Sequence, residues 1–158
     1  MPPSSPVTPE WTYATFDELS AVALYEILSL RQRVFVVEQQ CPYLDADGAD
    51  RTAVHLCGHS GGRLLAYLRF FAPNGTASQA VIGRVVVAPE VRGRGVARAL
   101  MMEALRTVEA RHPDVPIKVA AQTYLRAFYL ELGFQPVSEP YDEDGIPHVD
   151  MLRSPVRS

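Results

Sequence analysis

At 158 residues, 47% of them apolar, the chain is long enough to bury a sizeable core in one domain and too hydrophobic for a disordered chain. A net charge of −3 gives no reason to expect a nucleic-acid partner. Two cysteines, Cys41 and Cys57, are too few for a disulfide framework and lack a metal-ligand spacing, so no metal site is expected. They fit free thiols in a reducing cytoplasm, with a bridge between them left open by the sequence. The first ten residues, MPPSSPVTPE, hold neither a basic segment nor an apolar stretch, so they read as a loose tail rather than a signal peptide. No apolar run approaches membrane-spanning length, and no membrane partner is expected. The expected organisation is a tail over 1–10, one domain over 11–153 and a second tail over 154–158.

Trp11 to Phe16 reads as a first strand. Thr15 and Glu18 form an S/T-x-x-E capping box, and the helix it starts carries Leu19, Val22, Ala23, Tyr25, Ile27, Leu28 and Leu30 at mostly helical spacing, running to about Arg33. Val34 to Gln39 either extends the helix or bends away as a loop. Cys41 to Asp50 is a loop rich in Asp and Gly. Val54–His59 and Leu64–Phe71 read as strands joined by a Ser60-Gly61-Gly62 turn. Pro73-Asn74-Gly75 marks a second turn, and Val81–Val87 a central strand. From about Gly95, the residues Ala97, Leu100, Met101, Ala104, Leu105 and Val108 line one face of a helix, which Pro113 and Pro116 stop. Ile117–Ala121 is a fifth strand. Leu125, Phe128, Tyr129 and Leu132 lie on a short helix that Gly133 ends. Phe134–Ser138 and Val149–Leu152 are final strands around an Asp-Gly loop. The order is β-α-β-β-β-α-β-α-β-β, an α/β chain.

The segment with the most chemical content is VIGRVVVAPEVRGRGVAR, residues 81–98. A β-branched strand ends at Pro89, and Arg92-Gly93-Arg94-Gly95-Val96-Ala97 leads into a helix. Amide N–H groups of a first helical turn have no intrahelical acceptor, and the helix dipole adds about half a positive charge there, which suits a phosphate. Gly93 and Gly95 let the backbone approach an anion closely. Arg92, Arg94 and Arg98 add a local +3 to a chain that is net −3, with no acid between Glu90 and Glu103. A Walker loop is excluded, because no Gly-Lys-Ser/Thr closes the turn. A dinucleotide fingerprint is excluded as well, because Arg98 stands where its third glycine would be.

The segment resembles the acyl-CoA signature of the GNAT (GCN5-related) N-acetyltransferases, Q/R-x-x-G-x-G/A, with Arg92, Gly95 and Ala97 at the defined positions. A second block agrees: Gln122-x-x-x-x-x-Phe128-Tyr129-x-x-x-Gly133-Phe134 is similar to the family's N-x-x-x-x-x-F/L-Y-x-x-x-G-F. The resemblance implies a mixed sheet with helices on both faces, in which the strands holding Val85–Val87 and Val119–Ala121 splay apart to admit CoA. It implies acetyl-CoA as co-substrate, with pyrophosphate on Arg92–Arg98. Pantetheine would lie on the backbone of Val85, Val86 and Val87 and on Gln122, beside Phe128. Gln122 departs from the family's Asn by one methylene.

The resemblance also implies that Tyr129 is the general acid. A neutral amine attacks the thioester, and the departing thiolate is protonated by a phenol in reach. The apolar stripe of the helix equally accommodates Tyr129 as a core aromatic. Arg33 to Gln39, the Cys41–Asp50 loop and Glu143-Asp144-Gly145-Ile146-Pro147-His148 resemble the ElaA-type branch of GNAT, with agreement from about Trp11 to Arg153. In that branch these segments surround the acceptor.

A base must take a proton from the amine. Glu38, Asp47, His55, Glu143 and His148 are the candidates, with Glu38 and His148 first. Glu38 has a plainer reading as a salt-bridge partner of Arg33 or Arg31, and His55 as a satisfied structural histidine. Arg84 is unassigned, either facing the acceptor or pairing with an acid. Asp45-Ala-Asp47-Gly48-Ala-Asp50 does not fit an EF-hand, whose sixth and twelfth positions are Gly and Glu; here they hold Asp50 and Leu56. It reads either as an Asx-rich surface turn or as a carboxylate cluster that attracts a cationic amine.

The expected activity is therefore N-acetylation of a small-molecule, peptide or protein amine. A non-catalytic acyl-CoA sensor is the alternative from another class. An acyl-homoserine-lactone-synthase-like acyltransferase is a third reading, on Arg33-x-Phe35-Val36-x-Glu38. Many members of the resembled family dimerise, although nothing in this chain demands a homodimer.

Overall fold

The structure, a computed structural model, describes residues 6–74 and 78–155. Tail positions 1–5 and 156–158, and Gly75 of the expected second turn, lie outside the described residues. The strands are β1 (Glu10–Thr15), β2 (Val54–Ser60), β3 (Arg63–Phe71), β4 (Ala80–Val87), β5 (Ile117–Gln122), β6 (Gln135–Pro136), β7 (Tyr141–Glu143) and β8 (Ile146–Arg153). The helices are α1 (Ala21–Arg31), α2 (Val96–Arg111) and α3 (Arg126–Glu131). The strands form one eight-stranded mixed sheet in the order β1-β2-β3-β4-β5-β8-β6, with β7 paired to β8. Among the described residues no helix is long and apolar enough to cross a membrane, and no group of His, Cys, Asp or Glu is placed to hold a metal ion.

Two compact units are distinguished along the chain. The first comprises the residues up to Phe70 together with Arg84–Ala104. Its antiparallel β1–β2–β3 ladder has β2 residues Leu56 and Cys57 and β3 residues Leu65–Phe70 buried. A register shift between Gly58 and His59 is the one irregularity in the β2–β3 pairing. Gly58 has a packing reason: Trp11 is its partner on β1, and a Cβ there would lie 2.5 Å from the indole Cζ3. Gly58→Ala is therefore expected to destabilise by about 1–3 kcal/mol, the usual range for overpacking. Chemical denaturation that shows no loss would place the indole elsewhere.

The capping box is present, but it closes a 3-10 turn over Phe16–Glu18 rather than starting α1; Thr15 N–H and Oγ1 both meet Glu18 Oε1 at 2.9 Å. Leu19 breaks the turn in an extended conformation, and Ser20 becomes the true N-cap, its Oγ accepting from Ala23 N–H at 3.0 Å. Helix α1 then continues, as one of the two readings of Val34–Gln39 held, but as a π-helical turn over Gln32–Glu38. The bonds Gln39 N–H to Val34 O and Cys41 N–H to Val36 O show its i→i−5 pattern. The buried face of this run is Ile27, Leu30, Arg31 and Val34.

The second unit comprises Phe71–Gly83 and the residues from Leu105 onward. Parallel β4–β5 pairing runs over Ala80↔Ile117, Val81↔Lys118 and Ile82↔Val119, and antiparallel β5–β8 pairing from Ile117↔Arg153 to Gln122↔His148. Ile82, Ile117, Val119, Ala121, Leu132, Phe134, Val149 and Met151 are buried in it. Two strand expectations are corrected here. Phe134–Ser138 shortens to the two residues of β6, because Ser138 instead turns its hydroxyl to the Asp150 amide at 2.9 Å. The last strand begins three residues earlier, at Ile146, where Asp144 and Gly145 close a hairpin with β7, a strand the sequence reading lacked. Tyr141–Glu143 is exposed throughout, so it shows no hydrophobic alternation to read.

Candidate active site

In the first unit, β4 runs into a tight exit. Ala88 donates to Leu65 O at 2.8 Å, and a 3-10 turn at Pro89–Val91 is closed by Val91 N–H to Ala88 O. Gly93 (φ 76°) and Gly95 (φ 77°) follow in the left-handed region, where an L side chain is strained. A Cβ on either would meet nothing within 4 Å, so the loop faces open space. The Gly95 carbonyl accepts the first α-helical bond, from Ala99 N–H at 3.0 Å, which leaves the amides of Val96, Ala97 and Arg98 ahead of the ladder. Val96 is buried and anchors the helix start, while Arg92, Gly93, Arg94, Gly95 and Arg98 are exposed. No acid lies in the first turn of α2.

The acids that offset this positive charge come from elsewhere in the chain. Glu38 sits 2.6 Å from Arg92, rather than on Arg33 or Arg31. Arg33 pairs with Glu90 at 2.8 Å, and Arg63 reaches the same carboxylate at 2.5 Å. The Arg33 hydrogen bond, with Arg63 adding to it, holds Glu90 down at about 2. Just upstream, Val86 is buried and Val85 and Val87 are partly exposed.

The Cys41–Asp50 loop carries a buried ionic lattice. Arg31, fully buried, donates from Nε to Asp45 at 2.7 Å, from Nη1 to Asp50 at 2.7 Å and from Nη2 to the Asp45 carbonyl at 2.9 Å. Arg69 holds Asp47 (2.6 and 2.9 Å) and Asp50 (2.8 Å). Arg84, a non-glycine at φ 50°, lies with Nε 2.8 Å from Asp45 Oδ1 and Nη2 3.3 Å from Asp47 Oδ2, its guanidinium over the Tyr43 ring. Three carboxylates are thus neutralised by three guanidinium groups. The Asx-turn reading holds at the exposed middle of the run, where Asp47 Oδ1 accepts from Ala49 N–H at 3.0 Å, but Asp45 and Asp50 are buried, and the carboxylates are already matched by arginines rather than left to draw in a cationic amine. The Arg69 hydrogen bond holds Asp47 far below the ordinary carboxylate range, against burial. For Asp50 burial opposes ionisation, and the hydrogen bonds from Arg31 and Arg69 outweigh it.

His55 is fully buried and satisfied on both sides. Nε2–H donates to Asp50 O at 2.9 Å, so Nδ1 accepts from the Tyr67 hydroxyl at 2.7 Å. Burial pushes its pKa down, and it has no lone pair left for substrate. Cys41 and Cys57 are buried free thiols, and burial pushes Cys57 up to about 12.

Of the two readings of Arg84, pairing with an acid is the one the structure shows, with Asp45 and Asp47 as its partners, whereas the buried roles of Arg31 and Arg69 were missed. One signal was available: Arg31 falls on the buried stripe with Ile27, Leu30 and Val34, and a charge on such a stripe must carry a buried partner.

In the second unit, Tyr129 is buried on α3, its ring edge-on to Phe128 (5.1 Å) and Phe134 (5.7 Å). The α3 exit fixes this packing: Gly133 (φ 91°) turns the chain so that Phe134 N–H returns to Tyr129 O at 3.1 Å. Burial raises the phenol above its ordinary value, with a smaller contribution from Tyr124. Among the described residues its hydroxyl makes no hydrogen bond. Gln122 ends β5 directly opposite His148. His148 Nδ1 lies 2.7 Å from Ile146 O, its Nε2 is 3.6 Å from Glu143, and its ring stacks on Tyr141.

A family model described as an acetyltransferase (GNAT) domain matches residues 46–154. The chain is 43% identical to Escherichia coli protein ElaA over 151 residues, covering 94% of this chain and 99% of that one. The crystal structure of E. coli ElaA superposes with a TM-score of 0.88, over 93% of this chain and 100% of that one. A Pseudomonas aeruginosa acyl-CoA N-acyltransferase, also 43% identical, superposes at 0.86 over 92% of this chain and 99% of that one. The chain belongs to the GNAT acetyltransferase family, in its ElaA-like branch.

Proposed function

We propose that the protein is an acetyl-CoA-dependent N-acetyltransferase that moves the acetyl group directly to an amine in a ternary complex. Family membership supports an acyl-CoA-dependent acyltransferase. The observation that carries the reading is the turn Arg92–Arg98: two left-handed glycines, open space above them and a helix start bordered by arginine. In this reading the first-turn amides and Arg92, Arg94 and Arg98 hold the CoA pyrophosphate. The backbone of Val85–Val87, with Gln122 and Phe128, receives the pantetheine arm. Glu38 and His148 serve the acceptor side.

Tyr129 is the acid, and its burial fixes how it can act. A phenol raised above its ordinary value is a weaker acid than a thiol of about 8.5, so it cannot simply give its proton away. It can pass one on. As the C–N bond forms and the C–S bond breaks, Tyr129 protonates sulfur and regains a proton from the cationic nitrogen of the tetrahedral intermediate. The phenol ends unchanged, and the net transfer is downhill.

Calorimetric titration of acetyl-CoA and desulfo-CoA into the wild type and Gly95→Glu tests the reading. Both ligands are expected to bind the wild type. Glutamate at φ 77° strains the turn and places a carboxylate where phosphate would sit, so binding is expected to fall at least a hundredfold in the variant. Absence of wild-type binding sinks the proposal.

A further inference from the structure

We infer that Glu143 and His148 form a paired acceptor site for the ammonium group of the amine substrate, with His148 Nε2 as the base that deprotonates it and Tyr141 as a positioning residue. The inference rests on the acetyltransferase reading and adds to it the class of acceptor, a primary or secondary aliphatic amine.

The tautomer is the first step. His148 Nδ1 lies 2.7 Å from the Ile146 carbonyl, which can only accept, so Nδ1 carries the hydrogen. In its neutral form the ring then presents a lone pair at Nε2. That atom is 3.6 Å from Glu143 Oε2, which is also an acceptor. Two acceptors that converge without a donor between them repel, and a group with several N–H donors and a positive charge relieves both. A primary ammonium is such a group. The ring is held in place for this encounter. Tyr141 stacks on it at 6.1 Å and 22°, and the Tyr141 hydroxyl is tied to Asp150 at 2.6 Å, which Lys118 faces at 3.5 Å. The His148 side chain is 12% exposed and that of Glu143 55% exposed, so the carboxylate is the more accessible of the two.

The proton count closes. The ammonium gives one proton to Nε2, and the imidazolium so formed donates to Glu143. The neutral nitrogen attacks the thioester carbon, its second proton replaces the one Tyr129 gives to sulfur, and His148 releases its proton to water. Position agrees as well: Gln122, the β5 residue assigned to pantetheine, is the cross-strand partner of His148.

Glu143 and Tyr141 of β7 lie against the imidazole, and Gln122 of β5 is its cross-strand partner. The test is an imidazole 15N spectrum of the full chain, titrated with n-butylammonium chloride and with tetramethylammonium chloride. The expected result is the Nδ1–H tautomer and a saturable shift at His148 with butylammonium alone. That response is expected to weaken at least tenfold in Glu143→Gln. Tyr141→Leu should lose the response, and Tyr141→Phe should retain part of it. An Nε2–H tautomer, or equal responses to the two cations, would overturn the inference. The calorimetry above reads coenzyme binding separately, so failure of the coenzyme reading and failure of the amine site give different results.

Discussion

Arg31→Met is expected to cost about 3–5 kcal/mol of stability, the range for breaking a buried ion pair from one side. Methionine fills much of the same volume, so the loss is electrostatic rather than a cavity. Arg31 makes bonds of 2.7 Å to both Asp45 and Asp50, and both acids are buried. Without it three carboxylates share Arg69 and Arg84, and the one negative charge left unbalanced in the cluster carries a desolvation cost. For a chain of this size the change corresponds to a fall in Tm of roughly 10 °C. Arg33→Met is the control: its pair with Glu90 is solvent-exposed, and such pairs contribute about 0–1 kcal/mol.

The pH dependence follows from the same residues. Asp47 and Asp50 are held below their ordinary values in the folded chain, so it binds fewer protons than the unfolded chain in the acid range. Their contribution is complete above the unfolded carboxylate range, about pH 4, and is lost as pH falls through the lower folded values. Arg31 bonds Asp50 and not Asp47, so the gap between wild type and Arg31→Met carries the Asp50 part alone and is expected to be constant near neutrality and to narrow below about pH 4. Denaturant unfolding at a series of pH values reads both effects. A variant within 1 kcal/mol of the wild type at pH 7 would show that the lattice is not what holds the loop.

This lattice also marks the limit of what the sequence disclosed. The strands, α2 and the 92–98 turn were legible because each is specified locally: β-branched runs by propensity, α2 by its apolar stripe, the turn by glycines at fixed offsets. The Thr15–Glu18 box was legible as chemistry and misplaced as structure. A box defines three residues of turn, and the next N-cap, Ser20, decided where α1 began. The aspartate loop could not be read, because its partners Arg69 and Arg84 stand 19 to 39 positions away; Arg69 looks like an ordinary strand charge, and for Arg84 an acid partner was one reading with nothing local to say which acid. Long-range pairing of charges leaves no local period. The same holds for Glu38, whose partner Arg92 is 54 positions on. The β7–β8 hairpin was missed for the opposite reason: its turn signal was present, and its exposed first strand had no apolar face to announce it.

Tyr129→Phe is expected to lower kcat by about a hundredfold, or 2.7 kcal/mol in the barrier, while leaving acetyl-CoA affinity within about twofold. Turnover is read as acetyl-CoA consumption with the amine selected from a panel, and affinity by calorimetry. Stability separates the catalytic role from the core one. A buried hydroxyl that supports the fold does so through a hydrogen bond, and its removal then costs about 1 kcal/mol or more. The Tyr129 hydroxyl makes no hydrogen bond among the described residues, whereas its ring packs edge-on against Phe128 and Phe134, contacts that phenylalanine keeps. The variant is thus expected to be as stable as the wild type or slightly more so. Equal turnover in the two proteins would assign Tyr129 to the core, and acetyl-CoA binding without turnover in either would favour an acyl-CoA sensor. Lost turnover at unchanged stability and unchanged affinity would assign the phenol to the transition state.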